Sequence, residues 1–423
     1  MKKFELLGLS LITAALVMTS GCSSDDDDGK SGPSAPSEIT QGVELNTSAT
    51  NNAMALLGVA MDDMPELAPA RLTPRLSALK VARSSGSENS TVTYPCEISG
   101  TYTITNNSKS TGDSDKTPPE SWSEESHNSK TYDNCVDNYS GVNFSGDALD
   151  QVVRNGVLSA ESNIDEDGDE GEEADIGFMD DYAEYNSDTN RSKLRNSLNM
   201  SYSEIYRSST TEATITSTYD FAFSVTSEFD GTDADRKDIN ITDSLSVNGS
   251  VEKYQTNAAG ERVAGVGERI IYGDYKQVSE RLYVPARSTG TLHINGFYTL
   301  YETNSTGEHL IEGGYFNNYH VESVKVGDEQ ETTISGTIGD TCLGGSITVA
   351  VDPVIKDNEV TYPDQLPYAG KATLKGSNTS TVTFSINSGD PTKTQATVQV
   401  DDGPLTQFDD WASLATGECE PEH

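Results

Sequence analysis

Basic residues are scarce. Of 423 residues only 28 are Lys or Arg, against 68 Asp or Glu, and the formal charge is −40. That excludes sequence-general binding of DNA or RNA, because phosphate neutralisation needs clustered cations. Large apolar side chains are scarce too. Leu, Ile, Val and Phe total 82 residues, under a fifth of the chain, near the margin where burial just offsets ordering entropy. Nineteen Tyr and abundant Thr compensate, since both suit a half-buried pleated surface. A single long apolar run excludes a polytopic helical membrane protein. Catalytic signatures are missing as well. The five histidines, His127, His293, His309, His320 and His423, form no HxH or HExxH pair, so no zinc motif is present. There is no GxSxG elbow, no P-loop and no dinucleotide fingerprint.

What the N-terminus does carry is an address. Lys2 and Lys3 precede an apolar run from Leu6 to Met18. That run is too short to span a bilayer comfortably and fits a signal-peptide core. The next residues, Thr19-Ser20-Gly21-Cys22, resemble the lipobox of bacterial lipoproteins, with Thr19 in place of the commoner Leu or Val. The resemblance implies removal of a signal peptide at 1–21, diacylation of the Cys22 thiol and acylation of the new amine. Several acyl chains give stable anchoring where one gives marginal binding. In enterobacterial lipoproteins Asp after the Cys retains the protein at the inner membrane. Ser23 stands there, so the resemblance implies a lipid-anchored outer-membrane protein. Ser23-Ser24-Asp25-Asp26-Asp27-Asp28 also resembles the acidic surface-export signal of Bacteroidetes lipoproteins. A solvated acidic tether explains the same run, so periplasmic and cell-surface orientations both stay open. Residues 22–45 are expected to be a lipidated flexible tether.

Residues 46–88 are expected to be short helical or irregular structure. An Ala- and Met-rich stretch from Asn51 to Met64 reads as a helix, broken by Pro65, Pro69 and Pro74, and Arg75 to Arg83 as a second short one. Alternation then replaces helical periodicity. Ile215, Tyr219, Phe221, Phe223 and Val225 fall on one side of a strand, with Thr216, Thr218, Asp220, Ser224 and Thr226 on the other. Ile239, Ile241, Leu245 and Val247 repeat this, as do Ile334 to Ile338, Ile347 to Val351 and Val382 to Ile386. Period-two patterning with one apolar face marks antiparallel sheet with a wet side. The expected fold is therefore mainly β: a long antiparallel meander forming a curled sheet, partial barrel or sandwich, with unusually long central strands. The β domain is assigned to 89–340, interrupted by two surface excursions, a polar one at 106–130 and an acidic one at 161–190. A C-terminal β module is assigned to 341–423.

A weak repeat runs through the β region. Leu245-Ser246-Val247-Asn248-Gly249 matches Leu292-His293-Ile294-Asn295-Gly296, and Val152-Val153-Arg154-Asn155-Gly156 precedes them at nearly twice that offset. Asn-Gly between alternating apolar residues predicts hairpin turns, and their recurrence a meander of similar hairpins.

Four cysteines follow Cys22: Cys96, Cys135, Cys342 and Cys419. An even number in an exported chain, without a CxxC pattern, points to disulfides. Three pairings are possible. Cys96–Cys135 and Cys342–Cys419 are preferred because each closes one apparent β unit, and each is worth about 4 kcal/mol on the chain-entropy model. The segment from Cys342 to Cys419 loosely resembles the C-terminal part of uncharacterised bacterial lipoproteins, which implies no activity. The sharpest ligand motif is 163–174. Asn163, Asp165, Asp167 and Asp169, with Gly168 for the turn, fit the first half of an EF-hand loop and mark a candidate calcium site. Ala174 stands where the bidentate Glu belongs.

Three functional readings follow. The leading one is a non-catalytic envelope-structural, adhesive or binding role that requires no cofactor, with an envelope protein or glycan as partner. The second is a carrier or receptor for an apolar ligand, because long twisted strands can curl around one. The third is a carboxylate-based hydrolase acting on glycans. A continuous apolar cavity would favour the second over the first, and two carboxylates facing one cleft would favour the third.

Overall fold

A computed structural model describes residues 33–62, 86–112, 121–168, 189–230, 239–284, 287–304, 307–358, 367–386, 389, 394–409 and 411–414. The chain is mainly β, as expected. Two helices come first, α1 (Ser37–Thr40) and α2 (Thr47–Asp62), and a short α3 (Trp411–Leu414) comes last. Between them lie seventeen strands of one sheet. These are β1 (Gly86–Pro95), β2 (Ser99–Gly112), β3 (Ser121–Val142), β4 (Ala148–Gly168), β5 (Thr189–Arg207), β6 (Thr214–Asp230), β7 (Ile239–Thr256), β8 (Gly267–Val284), β9 (Arg287–Asn304), β10 (Gly307–Val326) and β11 (Glu329–Asp340). The shorter strands are β12 (Gly345–Val351), β13 (Ile355–Asp357), β14 (Gly370–Lys375), β15 (Thr379–Ile386), β16 (Thr394–Val400) and β17 (Thr406–Phe408).

Every strand pairing is antiparallel, and β1 to β11 pair each with the next. Strand β11 then pairs with both β12 and β13, which share one lane, and β14 to β17 complete the meander. The end strands β1 and β17 do not pair with each other, so the sheet is not closed into a barrel.

Alternation works as read from the sequence. Tyr219, Phe221, Phe223 and Val225 are buried, and Ile334, Ile338, Ile347, Val349, Val382 and Phe384 are buried with them in one cluster. Leu45, Ala53, Met54 and Leu57, from α2 and the segment before it, join the same cluster. The division at 340/341 is not visible in the packing, because β11 pairs directly with β12 and the core runs across both.

Three readings need correction. Residues 33–45 are not a free tether. Ile39 is 0% and Leu45 1% exposed. The Val43 amide donates to Ser346 O, the Ser377 amide to Val43 O and the Leu45 amide to Asn378 Oδ1. The segment supplies two apolar anchors and a backbone ladder, which its Ser/Pro/Gly composition concealed. The polar excursion at 106–130 is largely strand, with β2 and β3 in register from Asn106↔Asn128 to Gly112↔Trp122. Polar side chains do not oppose a strand whose backbone groups are paired on both sides. The acidic excursion likewise continues β4 to Gly168 and resumes as β5 at Thr189.

The third correction concerns the Asn-Gly repeat. None of the three pairs is a hairpin turn; each lies inside a long strand. Gly156, Gly249 and Gly296 have φ of +104°, +115° and +93°. Beside each, one asparagine side chain accepts a backbone amide from a bulged neighbour. Asn155 Oδ1 takes the Asn134 amide at 2.7 Å, Asn295 Oδ1 the Asn318 amide at 2.7 Å, and Asn248 Oδ1 the Asp274 amide more loosely at 3.5 Å. Asn134, Asp274 and Asn318 all have positive φ, as do Gly100 on β2 and Gly336 on β11. These residues form one transverse crease across the sheet, passing β5 and β6 at the Ser201↔Asp220 pair. A bulge inserts one extra residue and bends the strand. Burial parity changes accordingly. On β8 the buried Tyr272 is followed by buried Tyr275, Gln277 and Ser279; on β10 Phe316 is followed by Tyr319, Val321 and Ser323. The extra residue keeps one face inward along a strand of up to 22 residues.

A side chain at the crease is excluded twice over. A Cβ on Gly156 would sit 2.0 Å from Ser201 O, in a backbone region L-residues rarely adopt. Gly156→Ala should lower the urea midpoint, at a cost of about 1–3 kcal/mol from backbone strain alone. Gly146, at φ +84° with nothing within 4 Å, is the control, and Gly146→Ala should cost less. Equal losses would remove the crease from the account.

Candidate binding groove

The strands β2 to β6 carry an open groove on the inward face. Its volume is about 430 Å³, within the range of small-molecule sites. Register explains its composition. Tyr94, Tyr102, Tyr132, Gly156, Tyr202 and Tyr219 are successive cross-strand partners from β1 to β6. Their rings stack in a ladder with centroid separations of 5.2, 5.9, 5.4 and 5.9 Å. Only Gly156 lacks a ring, and Tyr132 and Tyr202 meet across it. The same glycine therefore serves the crease and the ladder.

On one side of the ladder the lining is apolar, with Ile104, Leu158, Ala160, Leu198 and Met200. On the other side it is ionic. Glu204 is 3% exposed. Its Oε1 accepts from Arg154 Nε at 2.8 Å, while Arg154 Nη1 donates to Asp137 Oδ2 at 2.8 Å. Burial works against the Arg154 charge, but Glu204 outweighs it and holds the guanidinium more firmly protonated than usual. Burial, with Glu204 beside it, pushes the Tyr206 phenol up to about 12. Burial and Glu204 also raise Tyr202. Both phenols thus stay neutral donors across the physiological range.

The Cys96–Cys135 disulfide is present, with a Cα–Cα distance of 5.5 Å, and Cys135 lies opposite Arg154 in the register. It pins β1, β2 and β3 at the crease beside the groove's ionic end. The two sulfurs approach Asp137, but a disulfide has no thiolate to offer a metal. Cys342 is also disulfide-bonded, to a partner outside the described residues. Cys22 and Cys419 lie outside them too.

Asn163, Asp165 and Asp167 lie on β4, and Asp169 is outside the described residues. In the β4–β5 register they stand opposite Arg195, Lys193 and Arg191. An extended strand separates alternate residues by about 6.7 Å and cannot wrap them around one ion as an EF-hand turn does. The first six positions of the expected calcium loop are therefore strand, its acids facing bases. His320 stacks on His293 at 4.0 Å rather than meeting His309, which pairs with Glu302.

The groove escaped the sequence reading. Its signal was Met200-Ser201-Tyr202-Ser203-Glu204-Ile205-Tyr206: an acid placed among aromatics on an apolar face. Of the face read from Ile215 to Val225, Tyr219 lines the groove, whereas Phe221, Phe223 and Val225 belong to the core. Compared with known proteins, the chain matches no family model, no curated protein and no solved structure.

The Arg154–Glu204 pair carries a stability prediction. Removing one partner of a buried ion pair strands the other charge, at about 3–5 kcal/mol. Arg154→Met should cost that much in urea unfolding, and Arg154→Met combined with Glu204→Gln should recover most of it. A double variant no more stable than the single one would mean Arg154 acts through packing alone.

Proposed function

We propose that this is a lipid-anchored, non-catalytic binding protein of the outer membrane that holds an apolar-bodied ligand in the tyrosine-lined groove. The single observation that carries the reading is the groove itself: about 430 Å³ of open space with an apolar floor, a tyrosine ladder and one ionic end. An empty apolar groove leaves transfer free energy unclaimed, about 25 cal/mol for each Å² that a ligand would bury. A purely structural role requires no such space. Hydrolysis of glycans requires two carboxylates flanking the bond, whereas the groove lining holds one, Glu204, already paired with Arg154.

The neutral dye N-phenyl-1-naphthylamine should bind the full chain with a rise in fluorescence. Ala160→Trp, which fills the floor, should reduce that binding about tenfold or more. Dye binding unchanged by Ala160→Trp would place it elsewhere and overturn the reading.

The address rests on the residues before Cys22. Cys22→Ser should leave an uncleaved or soluble precursor that takes up no labelled palmitate, and equal labelling of both forms would refute the anchor.

A further inference from the structure

We infer that the occupant of the groove is a single-chain anionic amphiphile of the fatty-acid class, with its carboxylate seated on Lys130. The inference rests on the binding role proposed above and adds the head group. Three charged residues line the groove: Lys130, Arg154 and Glu204. Two of the three are basic, in a chain with 68 acids and 28 bases. Arg154 is committed to Glu204 and Asp137. Lys130 is committed to no acid. Its cross-strand partners are Ile104 on β2 and Leu158 on β4, both apolar and both in the groove. Its ammonium lies 4.7 and 4.8 Å from the ring centroids of Tyr102 and Tyr132. Those rings hold the cation in place without neutralising it. An ammonium fixed at the rim of an apolar floor is matched by an anion that carries an apolar tail. The tail then runs along Leu158, Ala160, Leu198 and Met200.

The acidity of the whole chain opposes an approaching anion, but salt at physiological strength screens such a field beyond about 8 Å. Contact with Lys130 is made well inside that distance. A volume of about 430 Å³ sits toward the small end of ligand pockets and suits one chain rather than two.

The test is displacement of N-phenyl-1-naphthylamine by laurate, dodecanol and dodecyltrimethylammonium, which share one chain and differ in head charge. The full chain with Cys22→Ser is used, so that no bilayer or detergent competes. Laurate should bind about tenfold tighter than dodecanol, as one charge-assisted contact provides, and the cation should bind weakest. Lys130→Met should remove the laurate advantage and leave dodecanol unchanged, while Lys130→Arg should restore it. Equal affinities of the three ligands for the unsubstituted groove would overturn the inference while leaving the binding role standing, and so would an equal loss of laurate and dodecanol in Lys130→Met. Failure of the dye to bind would remove both.

Discussion

Strands of up to 22 residues accumulate more twist than a flat ladder can hold. Here the release is concentrated in one row of bulges and positive-φ residues, from Gly100 on β2 to Gly336 on β11. At three points the row is built the same way, with an Asn side chain on one strand satisfying the amide that its neighbour's bulge leaves unpaired. Unpaired backbone groups inside a sheet cost as much as a lost hydrogen bond, so this repair makes the crease tolerable. The inserted residue also keeps the apolar face inward on both sides of the bend. Without it Tyr272 and Tyr275, or Phe316 and Tyr319, could not both be buried. The core of this sparsely apolar chain depends on that parity change.

The groove follows from the same constraint. Helix α2 and the packed segment before it contribute to the core together with residues of β10 to β16. On β2 to β5 much of the inward face stays open, and its surface is tyrosine rather than aliphatic. Tyrosine suits that position, because its ring covers apolar surface while its hydroxyl remains wet. Gly156 removes one ring from the row, and Tyr132 and Tyr202 close over the gap. The buried Arg154–Glu204 pair and the nearby Cys96–Cys135 disulfide hold the ionic end against a thin core.

The sheet was legible because period-two alternation is a direct consequence of strand geometry, and the Tyr219 to Val225 face is buried as it reads. The Asn-Gly repeat was legible as a repeat but not as a bulge. Both structures need glycine at positive φ, and only the register of the neighbouring strand tells them apart. Polar strands such as the outer halves of β2 and β3 were invisible to a method that looks for one apolar face. The segment around Ile39 and Leu45 was hidden for the opposite reason, since two buried side chains in a Ser/Pro/Gly-rich stretch carry no period. The groove could not be read at all. Its residues come from five strands, and only the register aligns Tyr102 with Tyr132, Gly156, Tyr202 and Tyr219.

The most direct test of a binding face on this ladder is fluorine NMR of protein labelled with 3-fluorotyrosine, titrated with dodecanol. Each tyrosine reports its own surroundings, and assignments follow from single Tyr→Phe variants. Shifts confined to Tyr102, Tyr132, Tyr202 and Tyr219, with the core residues Tyr275 and Tyr319 unmoved, are the expected result. Shifts at Tyr275 and Tyr319 with a silent ladder would contradict it.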